Sequence, residues 1–179
     1  MNFNDLLKST EKMTGPFPKP DQTMTDHPFD KLHEWYLYAY EDKVKEPHSM
    51  VLSTTEKNNA ADSRVVLLKA ADDSHLYFET AKSRKKVTQL ADNSSVALNF
   101  YWREHGRQIR IRGTASPAED ISHISDYLDA SVRDLNAYKV SPSSFEFYQT
   151  LSEGGNSRFS YQLIDHLYLL SFLSLSYLT

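Results

Sequence analysis

Polar and apolar residues alternate most cleanly from Arg107 to Ala115. Ile109 and Ile111 fall on one side of this run, and Gln108, Arg110 and Arg112 on the other. A period of two predicts a β-strand with one buried face. Similar reasoning predicts strands over 48–56, with Met50 and Leu52 on one face, over 75–80 and over 95–102. Residues 63–71 are so rich in Val and Leu that they predict a strand covered on both faces. Lys57-Asn-Asn-Ala-Ala-Asp62, Asp72-Asp-Ser74 and Arg103-Glu-His-Gly106 carry turn chemistry, and the two Asn residues tolerate left-handed backbone. Asp72 and Asp73, within a turn, are expected to face solvent.

Helical spacing occurs in three places. From Pro28 to Asp42, Leu32, Trp35, Tyr36 and Ala39 share a face, with Asp26 placed to cap and Pro28 in the first turn. A second helix is expected from Arg84 to Ala91, capped by Ser83 and ended by Asp92-Asn-Ser94. The third is an amphipathic helix over 119–131 carrying Ile121, Ile124, Tyr127 and Leu128. Residues 1–25, with Gly15-Pro-Phe-Pro-Lys-Pro20, read as an extended arm ahead of one domain over 26–179, atypical from about 138 onward. Hairpin-linked strands with peripheral helices predict a mainly β, α+β fold: an antiparallel barrel of Greek-key type rather than a doubly wound sheet.

The stretch from Leu167 to Thr179 has no charge. It is too short to cross a membrane, which takes roughly 20 apolar residues. It reads as a buried final strand or an interface segment, with an aggregation-prone tail as the alternative.

Composition narrows the function classes. With 179 residues, 40% hydrophobic and 25% charged, the chain suits one soluble domain. A net charge of -4 argues against a dedicated nucleic-acid binder. The chain has no cysteine, which removes disulfides and thiolate chemistry and fits a reducing, cytoplasmic setting. Met1-Asn-Phe-Asn-Asp5 lacks the pattern of a secretory leader. There is no glycine-rich phosphate loop, no zinc spacing among the seven His residues and no Gly-x-Ser-x-Gly elbow.

Positive charge is concentrated instead of general. Ten of the twenty Lys and Arg residues lie between Arg64 and Gly113, against five acidic residues. Arg64 and Lys69 sit five apart, so on a regular strand they face opposite sides. Ser83-Arg-Lys-Lys86 places three cations where a helix N-terminus already carries partial positive charge, which a bound anion would offset. Gln108 beside Arg110 and Arg112 can donate and accept at a heterocycle edge. For each group the alternative is a solvated basic surface. Tyr101, Trp102 and Arg103 also permit a single-strand nucleic-acid platform, which the net charge disfavours.

These residues resemble the pyridoxamine 5'-phosphate oxidase family of FMN-binding proteins. The resemblance is carried by Arg64-Val-Val-Leu-Leu-Lys69, Ser83-Arg-Lys85, Gln89-Leu90, Val96-Ala-Leu-Asn-Phe-Tyr-Trp102 and Arg107-Gln-Ile-Arg-Ile-Arg-Gly113, with a second piece at Tyr138–Tyr148. It implies a split β-barrel homodimer with FMN at the subunit interface. Arg64, Val65, Leu67, Lys69, Arg84 and Lys85 would hold the phosphate and ribityl chain, with hydroxyl contacts from Thr80 and Ser83. Gln108 would reach the flavin from the partner subunit, Tyr148 stands in place of a flavin-contacting Trp, and Arg158 aligns with a flavin-contacting Arg. Tyr127 matches one substrate-binding position.

The chain also departs from the family. Gly154-Gly-Asn156 stands where the family carries Arg-Leu-His, and Ser131 replaces a substrate-binding arginine. A long stretch before Tyr138, with a Gln-Ser flavin contact, is missing, and so is the usual Arg-Leu-x-Pro ending. The flavin half is largely kept and the substrate half largely lost. The resemblance implies an FMN-dependent oxidoreductase acting on a small organic substrate, with no nucleic-acid or membrane partner. A non-catalytic FMN-binding protein is the alternative.

Overall fold

The computed structural model describes residues 2–21, 23–129 and 134–176, with backbone alone for 174–176. Nine strands form one antiparallel sheet: β1 (Ser49–Thr55), β2 (Ala61–Leu67), β3 (Ala70–Ala71), β4 (Leu76–Ala81), β5 (Ser95–Trp102), β6 (Arg107–Pro117), β7 (Leu135–Thr150), β8 (Asn156–Ile164) and β9 (Leu167–Ser176). Three α-helices accompany them: α1 (Phe3–Ser9), α2 (Pro28–Glu41) and α3 (Lys85–Asp92). Along the main path the strand order is β2-β1-β5-β6-β7-β4-β3, with β8 and β9 added beyond β7.

β7 explains why the barrel is split. One of its edges pairs with β6 throughout. The other is shared, residues 135–140 with β4 and residues 144–150 with β8. Pro142 lies between the two partners, where a missing N–H interrupts no ladder bond. Opposite it, the β6 register shifts between Arg112 and Gly113. A side chain at Gly113 would run into the Ser141 carbonyl, so only glycine permits this close approach. The path ends at β2 and β3 without closing, although β2 packs near β4.

The inner face is filled by alternate strand residues, among them Leu52, Phe78, Leu98, Phe100, Ile109, Ile111, Val140 and Phe147. Each such side chain contributes about 1.5–3 kcal/mol of burial. Helix α2 lays Phe29 and Trp35 onto this core, with ring centroids 5.2 Å from Phe145 and 5.2 Å from Phe147 respectively. Its N-cap is His27, not Asp26, because Pro28 occupies the first helical position.

The N-terminal arm has no helix or strand over 11–21 but begins with helix α1, which buries no residue. Its later part is strapped to the domain. Gln149 Nε2 donates to the Pro18 carbonyl at 2.7 Å, and Tyr161 Oη donates to the Thr25 carbonyl at 2.9 Å. The fully buried Lys31 ammonium donates to Asp21 at 3.0 Å, Thr23 at 2.9 Å and Glu34 at 2.6 Å. Burial raises the Asp21 carboxyl, but hydrogen bonds from Thr23, Trp35 and Lys31 outweigh it and hold the group below its ordinary range.

Several expectations are corrected. β2 is not covered on both faces: Val65 is 65% exposed, because β2 ends the sheet path with nothing packed outside it. The expected helix over 119–131 is a short 3-10 turn at Ser122–Tyr127 that buries only Ile124, and residues 130–133, including Ser131, lie outside the described residues. Leu167 does begin a final strand, yet β9 is not buried. Leu167, Leu169, Phe172 and Leu173 are all about half exposed or more, because β8 is its sole partner among the described residues. Asp72 is also less solvent-facing than its turn suggests. It accepts from Tyr77 Oη at 2.6 Å and from the backbone amides of Ser74 and His75, both at 2.7 Å.

Candidate functional site

The sequence-predicted site residues fall into two clusters. The first gathers β2, β4 and the start of α3. Arg64 reaches under α3, where Nη1 donates to Thr54 Oγ1 at 2.6 Å and Nη2 donates to Asp62 Oδ2 at 2.7 Å and Gln89 Oε1 at 2.8 Å. Gln89 donates in turn to Asp62 at 3.0 Å, and this bond, with the charges of Arg64 and Lys85, holds the Asp62 carboxyl low. Lys85 pairs with Glu56 at 2.5 Å, which raises its pKa. Lys69 pairs with Glu79 at 3.7 Å. Val65 and Leu67 are exposed on the outer face of β2.

Thr80 is buried on β4, and its Oγ1 accepts from Lys86 Nζ at 3.0 Å. Ser83 does not cap α3. The N-cap is Arg84, and no side chain caps the helix, because the turn after β4 starts it one residue later than expected. Ser83 and Arg84 are exposed at its mouth.

The second cluster is a row across the outer face of β5–β8. Gln108 lies opposite Tyr148, and Tyr148 opposite Arg158. Gln108 Nε2 donates to Asn99 Oδ1 at 2.7 Å. Glu146 accepts from Arg110 at 2.9 Å and from Arg158 at 2.5 Å. Among the described residues Arg158 Nε is buried with no hydrogen-bond partner. Arg107 leaves this row and turns inward, its guanidinium 4.3 Å from the Trp35 ring centroid and 5.1 Å from that of Tyr38. Tyr127 is exposed on the 3-10 turn and joins neither cluster.

Thr80 and Gln108 lie far apart along β7, whereas Arg64, followed through β1, β5 and β6, is level with Phe145, three residues from Tyr148. Thr80 is level with Asn136 on β7, whereas Gln108 is level with Tyr148. Twelve residues of strand separate these levels, about 40 Å of strand path at roughly 3.3 Å per residue.

Sequence reasoning missed several residues. Asp62 could have been found, because it lies two before Arg64 and therefore on the same strand face. Glu56, Thr54, Asn99 and Glu146 gave no local signal. They reach the site only through strand pairing. Among the described residues no group of acidic and His side chains is arranged to hold a metal ion, and no helix is long and apolar enough to cross a membrane.

The first cluster carries groups that suit an anion. Four cations (Arg64, Arg84, Lys85 and Lys86) stand with two carboxylates, Glu56 and Asp62, beside an uncapped helix start and the Thr80 hydroxyl, while Lys69 pairs with Glu79 on the other side of β4. The excess positive charge suits a phosphate monoester.

Comparison with known proteins identifies the family. Residues 38–148 match the family model described as Pyridoxamine 5'-phosphate oxidase. A pyridoxine/pyridoxamine 5'-phosphate oxidase of Bradyrhizobium sp. (strain BTAi1 / ATCC BAA-1182) is 35% identical over 100 residues, covering 56% of this chain and 46% of that protein. Its counterpart from Crocosphaera subtropica is 28% identical over 182 residues, covering 79% and 85% respectively. The chain thus matches about half the length of the first of these relatives. In fold it is similar to PhzG of Burkholderia lata 383, solved with tetrahydrophenazine-1-carboxylic acid, at a TM-score of 0.78 and 21% identity over 90% of this chain and 100% of that one. It is also similar to a pyridoxamine 5'-phosphate oxidase-related, FMN-binding protein of Nostoc punctiforme, at 0.68 and 14% over 86% and 100%. A family match over more than half of the chain leads to one conclusion: the chain belongs to the pyridoxamine 5'-phosphate oxidase family.

Proposed function

We propose that the chain binds FMN between two copies of itself and acts as an oxidoreductase on a small organic substrate. The observation that carries this reading is the surplus of cations over carboxylates around Thr80 and the start of α3. The donor set fits a phosphate dianion. The unpartnered Nε of Arg158, beside Tyr148, fits an acceptor on a flavin ring. Bound flavin would supply the hydride-accepting chemistry. Arg64, Lys69, Arg84 and Lys85 would hold its phosphate end, with Thr80 and Ser83 adding hydroxyl bonds. Val65 and Leu67 would line the ribityl path with backbone and apolar surface. Gln108, Tyr148 and Arg158 would orient the ring.

The family match supports a homodimer in this reading, in which the second copy would supply the row.

Turnover of pyridoxamine 5'-phosphate is expected to be weak. The β7–β8 turn where the family carries Arg-Leu-His holds Gly154 and Gly155, both at positive φ and neither able to pair with a substrate phosphate. Each lost charge-assisted bond removes about 1.5–3 kcal/mol. The PhzG complex shows a reduced tricyclic acid in this fold, so the fold is not confined to phosphorylated vitamers. Tyr127, on the exposed 3-10 turn, is the remaining substrate-side candidate. The same losses favour a non-catalytic FMN-binding protein as the second reading.

The test is a visible absorption spectrum of the purified chain before and after FMN loading and desalting. A retained, structured flavin band is expected, and its absence would overturn the reading. Turnover above the rate of unbound flavin with any reductant–acceptor pair would then exclude the second reading.

A further inference from the structure

We propose that Lys86 is an additional cation of the phosphate site and selects FMN over unphosphorylated riboflavin. The inference rests on the FMN reading above and goes beyond its motif residues, which end at Lys85.

The geometry singles out this side chain. Arg64, Lys85 and Lys69 are each engaged with a carboxylate, Asp62, Glu56 and Glu79 respectively. Lys86 is half-buried in the first turn of α3, and among the described residues it takes part in no ion pair. Its one hydrogen bond is to Thr80 Oγ1, at 3.0 Å. A hydroxyl whose oxygen already accepts from an ammonium directs its own proton away from it. Lys86 therefore sets Thr80 as a donor toward the same space that its charge fills. Burial first, and then the charges of Arg64 and Arg84, hold the Lys86 ammonium below the usual lysine range. A phosphate dianion placed among these groups would relieve that repulsion. Riboflavin would bring no charge to do so.

The test titrates FMN and riboflavin separately against the full-length wild-type chain, Lys86→Met and Lys86→Arg, following flavin fluorescence. Thermal melts of each variant check the fold. Lys86→Met is expected to lower FMN affinity about 10- to 100-fold, the worth of one charge-assisted bond. Riboflavin affinity should stay the same, and Lys86→Arg should restore the preference. Inorganic phosphate should also compete with FMN less well in the Met variant.

If the wild type binds FMN no better than riboflavin, the phosphate-site reading itself fails. If the wild type prefers FMN and Lys86→Met keeps that preference, the assignment of Lys86 alone fails. An equal loss for both flavins would mark a general disturbance of α3 and would also overturn the assignment.

Discussion

The clamp around α3 and the row across β6–β8 are both rich in arginine, yet they are built in opposite ways. The row stands on the most deeply buried strands. Its outward residues alternate with Ile109, Ile111, Phe147 and Phe159, all almost completely buried. The clamp hangs on β2, at the end of the sheet path, and on the short helix α3, and it is held by hydrogen bonds among Arg64, Asp62, Gln89 and Thr54. The row is positioned by hydrophobic packing behind it, and the clamp by its own polar network. Damage to the core should therefore reach the row first, and changes of charge should reach the clamp first.

Phe147→Ala is the strongest way to break the contrast. The ring stacks on Phe159 at 5.2 Å and meets Trp35 edge-on. Its loss should cost about 3–5 kcal/mol in denaturant unfolding. An effect below about 1 kcal/mol would mean that the row does not depend on this packing.

Arg64→Ala comes next and targets the clamp. It strands Asp62 beside Gln89 and removes the guanidinium placed for phosphate. FMN affinity should fall at least 10-fold, with the row's contribution to riboflavin binding preserved. Unchanged FMN binding would remove Arg64 from the site.

A third prediction concerns acid stability outside both clusters. Burial raises the Asp72 carboxyl, but bonds from Tyr77, the amides of Ser74 and His75, and His123 overcome this and bring it from 3.8 to about 2. Because the folded pKa is depressed, its contribution is complete above the ordinary carboxyl pKa and is lost as pH falls toward 2. The stake is about 2 kcal/mol. Asp72→Asn should flatten stability between pH 4 and 2, as read by urea midpoints at each pH. A wild-type slope that persists in the variant would assign the acid loss to other groups.

The smallest effect is expected for Glu146→Gln. Glu146 joins two partly exposed arginines, so its pairs are worth about 0–1 kcal/mol each. Stability should barely move, while affinity for FMN should rise modestly as Arg110 and Arg158 lose their internal counter-charge. A fall in FMN affinity would show instead that Glu146 positions Arg158 for the ligand.

The legible parts of the molecule are those decided locally. β5 runs from Ser95 to Trp102 as its apolar pattern predicts, and the alternation of β6 sorts its residues to the correct faces. Asn59 takes the left-handed conformation expected of that turn, with φ of 65°. The illegible parts depend on neighbours distant in sequence. An apolar run such as β9 looks buried until the sheet is known to offer it a single partner. Val65 and Leu67 look like core until β2 proves to be the end of the path.

The candidate site divides along the same line. Arg64, Lys69, Arg84, Lys85 and Gln108 were readable as chemistry, because residue type and spacing already limit what such groups can bind. The sequence by itself determined the strand periodicities, the concentration of positive charge and the family pattern, since all three reside in the order of side chains. Only the tertiary structure decided which cations carry internal carboxylate partners and which, Arg84 and Lys86, have none among the described residues. It also decided that Thr80 and Gln108 sit beside opposite ends of β7. The physical reason is that charge compensation depends on distances through space: Glu56 reaches Lys85 across 29 residues of sequence, and Glu146 reaches Arg110 across 36, only once the chain is folded.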